Sequence, residues 1–388
     1  MTSGIGRHFL QIPGPTNVPD EVLRAISAPT IDHRGPEFAV MALGVLDGLK
    51  PIFGTTGPVV IFPASGTGAW EAALVNTLSP GDRVLCFETG HFATLWQVMA
   101  AKLGLVVDFV PGDWRHGVDP ATVAERLHAD TDRAIKAVLV VHNETSTGVM
   151  SSIADVRAVL DEVGHPALLL VDAVSSLGGV EYLHDEWGVD VTVVGSQKGL
   201  MIPPGLGFNA VSEKALAVSS TAGLHKSYWD WKPILATNRA GFWPYTPPTN
   251  LLFGLHAALR ILNEEGLKAV FARHQRHAAA TRAAVRGWGL ETVCLDEQQH
   301  SATLTAVMVP ADHNADEIRT VILDRFNMSL GTGLGKLAGR VFRIGHLGHF
   351  NDIALAATIA GVQMGLGLSG VRVDPRGILA ALERLQQG

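Results

Sequence analysis

The sequence predicts an α/β protein: a large domain with a mostly parallel central sheet covered by helices, then a smaller C-terminal α+β domain. Three observations point there. From about residue 58 to residue 211, short apolar runs alternate with longer helical patterns. That rhythm stops in a Trp- and Pro-rich segment, and two later apolar runs bracket a single helix. Apolar runs of five or six residues between helices suit strands buried on both faces, because neither face meets water. With 388 residues, 47% hydrophobic and 17% charged, the chain can bury more than one core and is too apolar for wholesale disorder.

The first strand reads from Pro58 to Phe62 and the first helix from Ala69 to Leu78. Arg83 to Phe87, Leu105 to Val110, Ala137 to His142, Ala167 to Asp172, Val189 to Val194 and Leu206 to Val211 follow as strands. Helices are expected over His91 to Leu103 and about 119–128 and 152–163. Trp243 to Pro248 cannot be a central strand, since proline has no amide hydrogen to give to a ladder. A long helical pattern, Leu251 to Leu290, breaks at Gly266; strands at Thr303 to Val309 and Gly339 to Ile344 then flank a helix near 315–326. We divide the chain into an N-terminal extension (1–20), a large domain (21–262) and a small domain (263–388). Ile353 to Val371 is almost uncharged, but its four glycines and missing basic flank favour a buried helix running into a loop over a membrane span.

Composition narrows the function. Thirty basic against 37 acidic residues give a net charge of −7 with no basic block, which argues against nucleic-acid binding. Two cysteines, Cys86 and Cys294, exclude a disulfide scaffold or Cys-based zinc module and fit a reducing compartment. No targeting signal stands at either end, so a cytoplasmic protein without membrane attachment is expected.

Three features fall at successive strand ends. Ser65, Gly66, Thr67 and Gly68 lie between a strand and a helix, where backbone amides and the helix dipole can hold an anion. Glu71 occupies the place of a third dinucleotide-motif glycine, and no Lys-Ser/Thr follows for a Walker loop. Asp172 closes an apolar strand, where a carboxylate is costly unless paired, so a cationic partner at the sheet edge is expected. Lys198 lies on a constrained turn between small residues. Each alone is ordinary: a tight turn, a capping acid, a loop lysine. Together they match what pyridoxal 5′-phosphate requires: a phosphate cup, an acid for the pyridine nitrogen and a lysine amine for the aldehyde.

The stretches Pro13–Asn17, Phe62–Glu71, Val141–Gly148, Val171–Ser176, Gly195–Lys198 and Val341–Gly348 run in the order seen in one family. On these the chain resembles the class V, fold-type I pyridoxal-phosphate aminotransferases, in the serine–glyoxylate and alanine–glyoxylate group. The resemblance implies that Lys198 is the Schiff-base lysine and general acid/base, that Asp172 pairs with the ring nitrogen, and that Val174 packs on one ring face. It implies a phosphate cup of Ser65, Gly66, Thr67 and Gln197, and Thr145 at the ring hydroxyl. Phe92 stands at the stacking position where many relatives have Trp. Thr246, with Trp243 or Tyr245, would complete the partner subunit's phosphate site, which implies a homodimer. Arg343 would bind the substrate carboxylate in two hydrogen bonds, and backbone at Pro13 and Gly14 would close over the substrate. Arg34 would either face the donor's side chain or be a structural arginine. Gly331 to Gly335 would be a loop near the substrate.

The expected reaction is transfer of an amino group from a small L-amino acid, serine foremost, to glyoxylate. Alanine–glyoxylate, aspartate–glyoxylate and pyridoxamine–pyruvate transamination are the alternatives. A cysteine desulfurase would need a nucleophilic cysteine on a mobile loop, and a nicotinamide dehydrogenase would need the missing glycine fingerprint. A protein that retains the cofactor without catalysis is a further alternative, opposed by the presence of candidates for each catalytic role. The pairs His274/His277 and His346/His349 lack the carboxylate partners of a metal site.

Overall fold

A computed structural model of the chain describes residues 7–387. In chain order it begins with β1 (Phe9–Gln11), α1 (Asp20–Ile26) and α2 (Pro36–Phe53). The alternating stretch gives β2 (Val59–Ala64), α3 (Gly66–Thr77), β3 (Arg83–Phe87), α4 (His91–Lys102), β4 (Val106–Val110), α5 (Pro120–Ala129) and β5 (Ile135–Val141). After a hairpin of two-residue strands, β6 (Asn143–Glu144) and β7 (Val149–Met150), come α6 (Ile153–Glu162), β8 (Leu168–Asp172), β9 (Val191–Gly195) and β10 (Gly205–Val211). The Trp- and Pro-rich segment holds α7 (Glu213–Ser219) and α8 (Trp231–Asn238), and α9 (Thr249–Glu265) and α10 (Leu267–Gly287) meet at Gly266. The rest is β11 (Glu291–Thr292), β12 (Leu304–Met308), α11 (Ala315–Phe326), β13 (Met328–Thr332), β14 (Val341–Gly345), α12 (Asp352–Leu368) and α13 (Gly377–Gln386).

The large sheet has seven strands in the order β2-β10-β9-β8-β5-β3-β4. The pairs from β9 to β4 are parallel, while β10 is antiparallel to both neighbours. Six strands therefore run one way and only β10 opposes them. Strands β5, β8 and β9 are buried nearly throughout, as their unbroken apolar runs require. The main hydrophobic core surrounds this sheet, from Val22 to Val270.

A second sheet, β1-β13-β14-β12-β11, has its own core against α10, α11, α12 and α13. It is antiparallel except where β1 pairs with β13. The start of the chain thus crosses to the second sheet as an edge strand, through Phe9 opposite Met328. This pairing joins residues more than three hundred positions apart, so local pattern carries no sign of it.

Two expectations need correction. The apolar stretch from Ile353 is not a buried helix: Ile353 is 79% exposed, and Met364 and Leu368 are about half exposed. Only the face with Leu355, Ile359, Val362 and Leu366 is covered, because one side of α12 lies on the core beside the second sheet and the other, among the described residues, on none. Among the described residues no helix is long and apolar enough to cross a membrane. The glycine-rich segment 331–335 is also not wholly a loop. Gly331 and Thr332 end β13 opposite Arg343 and Phe342, since small residues fit where Arg343 packs against the neighbouring strand.

Candidate active site

Strand direction assembles the site. β2, β5, β8 and β9 end on the same edge of the large sheet, leading into Ser65, His142, Asp172 and the turn Ser196–Lys198. Strand carboxyl ends are where α/β sheets open a crevice.

At the end of β2, Ser65 is extended and its side chain makes no capping bond to α3. The first amides of that helix have no partner within it. Gly66 is fixed by space, since a Cβ there would lie 2.7 Å from Val174 Cγ2. Gln197 closes the same spot: the Cβ position of Gly195 is 3.0 Å from Gln197 Oε1 and 3.1 Å from the Gly66 amide nitrogen. Ser65 and Thr67 are exposed on the open side. Gln197 Oε1 is buried with no hydrogen-bond partner. The uncapped helix N-terminus is the setting that a phosphate, bound through the α3 amides, would complete, and Gln197 could join it only by donating from its side-chain NH2.

Lys198 is buried, and its Nζ donates to the Pro13 carbonyl. Gly14 lies directly over it at φ +96°, and a side chain there would collide with Lys198 Cδ, Cε and Nζ. Thr16 secures the crossing, its Oγ1 donating to the Lys198 carbonyl at 3.1 Å and its amide to the Gln197 carbonyl at 3.0 Å. Burial, with the Arg343 charge adding to it and Asp172 opposing, brings the amine from 10.5 down to about 7.

Asp172 accepts from the Val174 amide at 2.7 Å and from Trp70 Nε1 at 2.9 Å. Burial dominates its titration and pushes it up to about 7, against the pull of the Val174 amide. A cation set against it would reverse that shift, because paired charges favour the ionised carboxylate. Trp70 is held in turn by stacking on Trp96, with centroids 5.8 Å apart and planes 14° apart. Phe92, in the first turn of α4, meets Trp70 edge-on.

Arg343, on the central β14 of the small sheet, is 7% exposed. Its Nε donates to the Thr332 carbonyl at 2.7 Å and its Nη1 to the Thr145 carbonyl at 2.8 Å. Two backbone acceptors fix the guanidinium plane, and Nη2 has no hydrogen bond among the described residues. Burial first lowers its pKa to about 10, with Glu144 working the other way. Thr145 Oγ1 shares a short hydrogen bond with Ser175 Oγ.

Four residues make their contacts elsewhere within the chain. Arg34 is exposed, and among the described residues its one hydrogen bond is from its backbone amide to Asp32. Thr246 is exposed, and Tyr245 stacks on Tyr228 with centroids 4.9 Å apart and its hydroxyl unpartnered. Trp243 is committed to the chain's own core, donating to the Ile61 carbonyl at 3.0 Å.

Sequence reasoning missed the supporting groups Trp70, Glu144 and Ser175. The one available signal was for Glu144: it is the only Asp, Glu, Lys or Arg between Lys136 and Asp155. Neither cysteine suits nucleophilic work. Burial holds the Cys86 thiol far above its ordinary range and pushes Cys294 up to about 11. Among the described residues no group of three or more His, Cys, Asp or Glu could hold a metal. His274, His277 and His346 are buried, each with a ring nitrogen bonded within the chain.

Comparison with known proteins bears on this geometry. The model of the aminotransferase class-V family matches residues 8–337. The serine–glyoxylate aminotransferase of Methylorubrum extorquens is 46% identical, across 98% of this chain and 97% of its own length. The L-aspartate–glyoxylate aminotransferase of Paracoccus denitrificans is 44% identical, across 97% of this chain and 96% of its own. The crystal structure of pyridoxamine–pyruvate aminotransferase from Mesorhizobium loti superposes with a TM-score of 0.92 at 28% identity, covering 99% of both chains.

Proposed function

This chain belongs to the class-V aminotransferase family, and on that premise we propose that it moves the amino group of L-serine to glyoxylate, using pyridoxal 5′-phosphate and yielding hydroxypyruvate and glycine. The observation that carries this is the convergence of a buried amine of lowered pKa, a buried carboxyl and an uncapped helix N-terminus on one sheet edge. Relatives of nearly equal identity carry serine and aspartate in their names, so similarity alone does not choose the donor. A dicarboxylic donor calls for a second cation, and Arg34, the candidate for it, is exposed within one chain and would reach a site only across the subunit interface; the half-reactions below choose between the donors.

When bound, the cofactor supplies an aldehyde for the donor nitrogen and an electron-poor ring that spreads the charge left by the departing α-proton. The amides of Gly66 and Thr67, with the Ser65 and Thr67 hydroxyls and Gln197, would hold its phosphate. Val174 would pack on one ring face, Phe92 on the other, and Thr145 would meet the ring hydroxyl. Asp172 would stabilise a proton on the ring nitrogen by its negative charge. Lys198 Nζ, whose affinity for a proton burial lowers, can accept the α-proton and return it. Arg343 holds the carboxylate that serine and glyoxylate share, which orients either substrate with the same end toward β14. Pro13 and Gly14, packed on Lys198, narrow the space around the reacting amine and limit water. Tyr245 and Thr246 would serve the partner subunit of a homodimer, which is consistent with their separation from this chain's cluster. The free, buried cysteines fit a cytoplasmic setting.

Borohydride reduction of the cofactor-loaded protein followed by peptide mapping should place the label on Lys198. Lys198→Ala should keep the cofactor and lose at least about a thousandfold in turnover. A label elsewhere, or near-normal turnover of the variant, overturns the reading. Half-reactions followed spectrally should run fastest with serine; aspartate leading would reassign the donor.

A further inference from the structure

Glu144 is wholly buried and follows β5 at the site edge, yet none of the roles above uses it. Its Oε2 accepts from the amides of Phe92 and Ala93, both at 3.1 Å, in the first turn of α4. Its Oε1 accepts from the Ser146 amide at 3.0 Å and the Ser146 hydroxyl at 2.7 Å. Ser146 Oγ in turn accepts from the His91 amide at 3.0 Å. α4 has no cap of its own, because Gly90 precedes it and makes no side-chain bond. Glu144 therefore caps a helix from another element, with its charge at the positive end of the dipole.

The same carboxylate holds the turn that carries Thr145. The Thr145 carbonyl takes Arg343 Nη1, and Thr145 Oγ1 meets Ser175 beyond Asp172. One side of the clamp is the helix turn bearing Phe92; the other is the acceptor that sets the plane of Arg343. Gly90 shows how close the fit is, since a Cβ there would collide with Glu144 Cγ and Cδ and with Ser146 Oγ.

We propose that Glu144 is a positioning residue that fixes Arg343 for a substrate carboxylate and Phe92 for the cofactor ring through a single four-bond clamp. This rests on the function proposed above for Arg343 and Phe92. The charge at 144 also opposes carboxylate binding at Arg343, so losing position and losing charge act in opposite directions on affinity. Two variants weight them differently. Gly90→Ala displaces the clamp and keeps the charge, whereas Glu144→Gln removes the charge and, because an NH2 donor replaces one acceptor oxygen, also gives up the backbone bonds on one side of the clamp while the other oxygen keeps its pair.

The probe is 3-hydroxypropanoate, which has serine's carboxylate and hydroxyl but no amine to transfer. It is titrated into the cofactor-loaded protein by calorimetry. The dissociation constant should rise about tenfold in Gly90→Ala and by less in Glu144→Gln. Visible circular dichroism of the bound cofactor should fall in both, while cofactor affinity stays within about threefold. If Gly90→Ala does not fold, Ser146→Ala, which removes one clamp bond and keeps the charge, should shift binding in the same direction by a smaller factor. Unchanged 3-hydroxypropanoate binding and dichroism overturns the proposal. So does an equal loss of cofactor and carboxylate affinity, which marks general loosening. Borohydride labelling of Lys198 is run on the same samples; if it fails in the wild type, the functional reading has failed rather than the clamp.

Discussion

Asp172 shows what one neighbour decides. A carboxylate at the end of an apolar strand is costly to ionise, and burial alone would keep it protonated well into the neutral range. Only the Val174 amide and the Trp70 indole N–H favour its charged form by hydrogen bonding. Trp70→Phe keeps most of the ring packing on Trp96 and deletes one donor. A hydrogen bond to a charged group is worth about 1.5–3 kcal/mol, so the variant should bind pyridoxal 5′-phosphate at least about tenfold more weakly. Fluorescence titration of the cofactor-free protein measures this directly. Wild-type affinity in Trp70→Phe would mean that the indole is only packing.

The elements show how glycine placement separates packing from exposure. On α12, Gly361 and Gly365 face the core, and a side chain at 365 would run into Ile322 of α11. Gly367, on the same helix, has nothing within 4 Å of its Cβ position. Gly365→Ala should therefore destabilise by about 1–3 kcal/mol through overpacking. Gly367→Ala should be neutral or stabilise by up to about 1 kcal/mol through helix propensity. Chemical denaturation of the two variants side by side gives the answer, and equal effects would contradict the packing described here. The exposed face of the same helix is why its apolar composition misled: Ile353, Met364 and Leu368 lie on the side that no element covers.

Across the whole molecule, buried histidines set a response to acid. Burial holds His142 and His184 at about 4, and His274 at about 3 with the Arg273 charge adding to it. Each is neutral in the fold but takes up a proton near 6.5 when unfolded. Their contribution is complete above about pH 6.5 and is lost as pH falls toward the folded values. At pH 5 a shift of this size removes about 2 kcal/mol for His142 and again for His184. Asp172 works in the opposite sense in the cofactor-free protein: its raised pKa favours the fold at low pH and is lost as pH rises through 7. His184 lies away from the reacting groups, bonded to Thr192 Oγ1. Denaturation of wild type and His184→Gln at pH 7 and pH 5 isolates its share, and the variant should lose less stability on acidification. Parallel losses would show that His184 is protonated within the fold.

Patterns set by near neighbours were legible in the chain alone. The continuous apolar runs of β5, β8 and β9, the small residues after β2 and the constrained turn around Lys198 each reflect contacts or exposures within a few residues. They determined the α/β class, the mostly parallel sheet and the short set of residues around one sheet edge. What the tertiary structure decided depends on groups far apart in sequence. Trp70 reaches Asp172 across 102 positions and Arg343 reaches Thr145 across 198, while β1 crosses to a sheet made from the last third of the chain. The half-buried state of α12, the strand ending at Thr332, the exposure of Arg34 and the clamp at Glu144 belong to the same group. Hydrogen bonding and desolvation are set by whatever surrounds a side chain in space, and residue order records those surroundings only where the chain folds back on itself locally.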